Sequence, residues 1–260
     1  MGKLLKRLLD LDNYFPTRST HLSEIKSLIS KLHPVDCGIP LIRVGPSNDG
    51  GYLLPDDLGL INSCFSPGVC KESRFEMECA ELGIPVFMAD HSVNIPSLSH
   101  EKFHFTKKYI GAISNDKFMT INEWIYRYSK PRDDILIQMD IEGFEYEVLL
   151  SMDQNILSNC RVLLIEFHNL DQLWNRIFFK IISAVFEKIL QSHSVVHIHP
   201  NNCCSVDLHK GIEIPSVMEF TFYNKKLFTE KHKKVELPHK LDQDNVTNKP
   251  SIKLSSDWFS

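Results

Sequence analysis

The sequence has seven cysteines, Cys37, Cys64, Cys70, Cys79, Cys160, Cys203 and Cys204, but no Cys-x-x-Cys pair. An odd number without metal-ligand spacing excludes a thiolate zinc knuckle and argues against a disulfide framework. Reduced thiols in a cytosolic protein fit better. No uninterrupted apolar run approaches the ~20 residues needed to cross a bilayer. The opening stretch MGKLLKRLLDLDNYF breaks its leucines with Lys3, Lys6 and Arg7, so it lacks a signal-peptide core. It reads instead as an amphipathic helix that packs on its own domain or on a partner subunit, and it is a candidate contact for self-association. Positive charge is not in excess either. Lys and Arg number 29 against 33 Asp and Glu, a net charge of -4, so no global field recruits nucleic acid. Internal repeats, low-complexity blocks and a G-x-G-x-x-G cradle are all missing, and the last absence argues against NAD or FAD.

What the chain does have is enough apolar material, 43% of 260 residues, for one sizeable α/β core. Helical spacing of Leu22, Ile25, Leu28, Ile29 and Leu32 predicts a helix that His33-Pro34 ends. Asn48-Asp49-Gly50-Gly51 marks a turn between two apolar runs. A rhythm follows. INSCFSPGV, PVFMAD, FHFTKKYIGAI, ILIQMD, RVLLIEFH and SVVHIHP read as strands. KESRFEMECAELG, TINEWIYRYS, EGFEYEVLLSM and FFKIISAVFEKIL read as helices between them. Such alternation predicts a mostly parallel sheet with helices on both faces. VMEFTFY has no helix before it and is expected to be an antiparallel last strand. The organisation expected is a helical segment at 1–40, an α/β domain at 41–228 and a polar C-terminal tail at 229–260, read as an appendage or partly disordered. Asn245-Val246-Thr247 fits a glycosylation sequon, which matters only in a secreted chain.

In open parallel sheets, ligands bind beyond the carboxyl ends of the strands, so the residues ending each strand are the informative ones. Strand one ends Ser66-Pro67-Gly68, where a glycine permits close backbone approach to a ligand. Strand two ends Asp90-His91-Ser92, and an acidic residue there can accept both hydroxyls of a ribose. With no phosphate cradle, the nucleoside cofactor that fits is S-adenosylmethionine. The central strand ends Asp140-Ile141-Glu142-Gly143, and two carboxylates there need water, donors, a cation or a substrate to be tolerated. Glu142 or Glu145 is a candidate cap for the following helix. The next strands end Glu166-Phe167-His168 and His197-Ile198-His199-Pro200-Asn201-Asn202. Two chemistries fit these tips. In one, Asp140 or His168 is a general base for a substrate hydroxyl. In the other, Asp140, Glu166 and His168 hold a divalent cation, magnesium or manganese, that acidifies it.

The segments SPGV, MADHSV, TINEWI, ILIQMDIEGFEYEVL and RVLLIEFH resemble the FkbM-type S-adenosylmethionine-dependent methyltransferases, over about Arg43 to Tyr223. The resemblance implies a class I methyltransferase (Rossmann-like) sheet of about seven strands with the last antiparallel, and methyl transfer to a hydroxyl of a sugar or glycoconjugate. Carried over residue by residue, it sets Gly68 against the methionine end of the cofactor, Asp90 at the ribose, and Asp140 and Glu142 where acceptor meets sulfonium. Pro67 and Val69 depart from the glycine-rich turn of the wider class. The full expected set is therefore Asp140, His168 and Glu166 for catalysis. Gly68, Ser66, Asp90, His91, Ser92, Asp49, Gly51 and Asp140 are expected to hold the cofactor, and Glu142, His199 and Asn201 the acceptor. Rival readings are a metal-dependent hydrolase built on Asp140, Glu166, His168 and His199, and a non-catalytic nucleoside-binding protein.

Overall fold

The computed structural model describes residues 17–69, 71–230 and 235–260. The leucine-rich opening segment, with the helix expected there, and Cys70 lie outside the described residues. Helix α1 (Leu22–Lys31) buries Ile25, Leu28 and Ile29, the stripe its spacing predicts. A hairpin follows, β1 (Leu41–Val44) with β2 (Tyr52–Pro55). Its loop is stapled by Arg43, which donates to the Pro46 and Asn48 carbonyls.

The core of the fold is a seven-stranded sheet. Its strands are β3 (Ser63–Pro67), β4 (Val86–Ala89), β5 (Phe103–Thr106), β8 (Ile135–Met139), β9 (Cys160–Phe167), β10 (His193–Pro200) and β13 (Met218–Asn224), in the spatial order β10-β13-β9-β8-β3-β4-β5. Adjacent pairs from β9 to β5 are parallel, and β13 runs antiparallel between β9 and β10. This is the class I methyltransferase arrangement, with the last strand reversed as expected. Alternation along the strands feeds two cores. Phe65, Ile137, Met139, Leu163 and Ile165 face one side, with α1, α3 (Ile121–Tyr128), α4 (Glu145–Ser151) and α6 (Arg176–Ile189) packed there. Cys64, Met88, Leu136 and Leu164 face the other, under the β1–β2 hairpin and α2 (Arg74–Glu81).

Strand order reverses between β3 and β8, the place where such sheets open a crevice. There the two chains touch. Gly68 has φ +89°, and a Cβ built on it would lie 1.7 Å from the Asp140 carbonyl oxygen. No side chain fits, so glycine here is demanded by the approach of the two strand ends.

Three features depart from the sequence reading. FHFTKKYIGAI is two strands. β5 joins the main sheet, and β6 (Tyr109–Gly111) pairs in parallel with β7 (Phe118–Thr120) beside it. Helix α5 (Gln154–Asn159) and the hairpin β11 (Val206–His209) with β12 (Ile212–Pro215) carried no clear periodicity. The polar tail is docked where it is described. Trp258 is buried and donates from its ring to the Glu213 carbonyl. Asn245 of the sequon is also buried, its amide held by Asp49 and Glu219, so it is no accessible glycan acceptor. No described helix is long and apolar enough to cross a membrane.

Gly68→Ala is expected to cost more than about 3 kcal/mol in urea unfolding, because it adds strain and a backbone clash together. Gly59→Ala, where an added Cβ meets nothing within 4 Å, should change stability by less than about 0.5 kcal/mol.

Candidate active site

Two clefts meet over Gly68 and Asp140. One, of about 440 Å³, is lined by Asp90, Ser92, Tyr109, Phe118, Glu142 and Phe144 among others. The other, of about 80 Å³, is walled by Asp49, Gly50, Tyr52, Glu72, Glu76 and Gln138. Together they form a trough across the tips of β3, β4 and β8. The Asp90 carboxylate accepts from the backbone and hydroxyl of Ser92, which shapes the turn after β4. Three residues of the smaller cleft, Tyr52, Glu76 and Gln138, are joined in a relay through the buried Ser66. Burial pushes Glu76 up to about 7. In its neutral form Glu76 can donate to the Ser66 hydroxyl, which donates to Gln138 Oε1, while Gln138 Nε2 donates to the Tyr52 hydroxyl.

The turn after β8 explains why a buried strand ends in two carboxylates and a glycine. Glu142 takes φ +58° and points outward, and Gly143 takes φ +100°, so the chain doubles back at once into α4. The residue that holds this turn is Glu145. It is fully buried, and its Oε1 accepts from the backbone N–H groups of Ile141 and Gly143 at 3.0 and 3.1 Å. The same oxygen meets His168 Nδ1 at 3.2 Å. The Tyr146 hydroxyl donates to the His168 carbonyl at 2.6 Å and fixes the backbone. His168 Nε2 is thereby aimed into the acid group, 3.8 Å from Asp140, 3.6 Å from Glu142 and 3.6 Å from Glu166.

The protonation states follow from this crowding. Burial alone would lower the His168 pKa, but its bond to Glu145 and the charges of Glu145, Asp140 and Glu142 outweigh that and hold it above 6.5. Burial raises Asp140 to about 7 against the pull of His168, with Glu142, Glu145 and Asp49 adding to the rise. Asp140 Oδ1 is buried and receives no hydrogen bond, an unmet acceptor at the saddle between the clefts. A carboxylate that exchanges its proton near neutral pH is suited to general base catalysis.

Residues 86–192 match the methyltransferase FkbM domain. Asp90, Asp140, Glu142, Glu145, Glu166 and His168 all fall inside the matched FkbM segment, while β3 with Gly68 precedes it and β10 and β13 follow. The match supports a methyltransferase activity. Comparison with curated proteins finds no match. Among solved structures, a candidate RNA methyltransferase from Pyrococcus horikoshii aligns over 78% of this chain and 97% of its own, at 10% identity and a TM-score of 0.32. At that level the likeness says nothing of the acceptor.

Of the residues expected from sequence, the fold brings Gly68, Asp90, Ser92, Asp49 and Asp140 to the trough, with Glu142 and His168 beside them. Ser66 is fully buried in the relay and lines neither cleft. Gly51 sits against the Pro46 carbonyl and Arg43 as part of the hairpin loop, and the His91 ring packs on Tyr109. Glu166 lies one layer deeper. It accepts from Asn201, and burial, followed by Asp140 and Glu219, raises it well above the usual carboxylate range. His199 faces a separate cavity with Asp242 of the tail and does not join Asp140. Among the described residues, the three ligand atoms that converge within 4.8 Å belong to Asp140, Glu142 and His168 rather than to Asp140, Glu166 and His168. Sequence reading placed Glu145 only as a helix cap, because its link to His168 spans two strands of the sheet.

Glu145→Ala should cost about 2–4 kcal/mol by orphaning two backbone donors. It should also lower the His168 pKa, read by NMR titration of its ring. The pair with Glu145 contributes fully below about pH 6.5 and is lost as pH rises through the higher folded-state value, so that slope of stability should vanish in the variant.

Proposed function

We propose that this chain is a cytosolic S-adenosylmethionine-dependent O-methyltransferase acting on a hydroxyl of a sugar or glycoconjugate. The observation that carries the reading is the unpartnered Asp140 Oδ1, set where the Gly68–Asp90 cleft meets the acid group around His168. The trough suits the cofactor in kind. Gly68 leaves room that a Cβ would fill, Asp90 offers an acceptor for ribose hydroxyls, and Tyr109 and Phe118 supply apolar walls of the kind an adenine ring needs. Asp49 and Glu72 line the smaller cleft, where an ammonium group would be welcome.

When bound, S-adenosylmethionine supplies a methyl group already activated on a sulfonium. Asp140 then has two tasks. It accepts a hydrogen bond from the acceptor hydroxyl, which orients the oxygen, and it takes the proton as the new bond to carbon forms. His168, fixed by Glu145, balances the charge of the carboxylates and keeps Asp140 near neutral titration. Glu142 is exposed at the rim, where it can bind acceptor hydroxyls, whereas Asn201, expected there from sequence, is buried behind Glu166 and lines neither cleft. Asp140, Glu142 and His168 could also hold magnesium or manganese, with the metal acidifying the hydroxyl.

Calorimetry with S-adenosylhomocysteine, with and without magnesium, tests cofactor and cation together. Asp90→Ala should weaken binding about 10- to 100-fold. Asp140→Asn should leave that affinity within a few-fold and lower turnover on a sugar acceptor panel by about 10²-fold or more. Turnover of the wild type should rise with pH through about 7 as Asp140 deprotonates. Undiminished turnover in Asp140→Asn removes this residue from its role, and absence of any S-adenosylhomocysteine binding removes the cofactor.

A further inference from the structure

The loop after β10 carries two thiols, of which Cys203 lies within electrostatic reach of Glu166 and Asp49. Cys203 and Cys204 are both exposed, and their sulfurs lie 2.9 Å apart. Cys37, Cys64, Cys79 and Cys160 are buried, so among the described residues these two are the accessible thiols. The loop is wired to Glu166 through one side chain. Asn201, itself buried, accepts the Cys203 N–H on Oδ1 at 2.8 Å and donates from Nδ2 to Glu166 at 3.1 Å. Glu166 in turn lies 3.6 Å from His168 Nε2. The tail adds a second tie, the Lys249 ammonium donating to the Cys203 carbonyl at 2.6 Å.

We propose that Cys203 and Cys204 form a redox-sensitive vicinal dithiol whose oxidation to a disulfide pulls the Cys203 amide off Asn201 and frees Asn201 from Glu166. The oxidant is hydrogen peroxide or another small hydroperoxide. One thiolate attacks a peroxide oxygen to give a sulfenic acid, with hydroxide leaving. The second thiolate then attacks the sulfenyl sulfur, a second hydroxide leaves, and the two released protons convert both to water. Two thiols thus lose two electrons, and one peroxide becomes two waters. Partial burial, contact with Cys204 and the charges of Glu166 and Asp49 push the Cys203 thiol up to about 12.

The geometric consequence follows from the chain itself. Adjacent Cα atoms across a trans peptide are roughly 3.8 Å apart, below the roughly 4.4–6.8 Å of ordinary disulfides. Closing the bond therefore distorts the Cys203–Cys204 peptide and the amide Asn201 holds. It also stores strain, which makes the bridge easily reduced and hence reversible.

The test uses the full chain. Mild peroxide treatment should remove two hydrogens from the peptide containing both cysteines, leave it resistant to alkylation, and be reversed by dithiothreitol. In the oxidised protein the Cys203 amide should exchange with deuterium at least about tenfold faster. Phenylarsine oxide, which bridges paired thiols, should bind one equivalent to the reduced protein, and Cys204→Ser should weaken it at least about tenfold. The Cys203→Ser/Cys204→Ser double variant should show none of these responses while remaining folded. Oxidation that stops at separate sulfinic acids, or that falls on other cysteines, overturns the proposal. So does a bridge that forms with the Cys203 amide unchanged. None of these readouts requires methyl transfer.

Discussion

The contact on which the site depends is the backbone of Gly68 lying against the carbonyl of Asp140. It exists because β3 and β8 sit side by side at the point where strand order reverses, and because one of the two chains has no side chain there. The close approach does two things at once. It makes a saddle between two clefts, and it sets the Asp140 carboxylate on that saddle. A larger residue at 68 would push the strand tips apart and close neither cleft properly. Fold stability and site geometry are thus tied to one absent Cβ.

Around that saddle the electrostatics are one-sided. Asp49, Asp140, Glu142, Glu145, Glu166 and Glu219 converge, and His168 is the central positive partner. Several carboxylates in so little water are tolerated only by donors and by protonation. Glu145 satisfies two backbone amides and His168. Glu166 and Glu219 are served by Asn201 and Asn245, and their pKa values rise with burial. Asp140 Oδ1 and Glu145 Oε2 are both buried oxygens without a donor, and of these two residues Asp140 is the one that lines both clefts. The arrangement also repels phosphate, in keeping with the neutral, hydroxyl-bearing acceptor proposed.

The C-terminal segment completes the wall of this region. Asp242 lies 2.9 Å from His197 Nε2, Asn202 exchanges hydrogen bonds with Val246, and Asn245 bridges Asp49 and Glu219. A stretch that is polar by composition is therefore an integral part of the packed domain. Its polarity serves an interior that is itself polar, which hydropathy alone reports as solvent-facing.

The chain's own pattern determined the sheet. Apolar runs of strand length alternating with 3.6-period segments leave few folds, and the missing helix before VMEFTFY required the last strand to reverse. It also marked the strand tips that border the trough, since Gly68, Asp90, Asp140 and His168 each follow an apolar run. What only the tertiary structure decided is which of those tips meet. Ser66, two residues before Gly68, is buried between Glu76 and Gln138 rather than open to the trough. His199 is drawn away by Asp242, a partner more than forty positions later, and Glu145 reaches His168 across two strands. Periodicity reports which face of an element is buried. It carries no information about which buried polar groups share a hydrogen bond, because that depends on distances between segments remote in sequence.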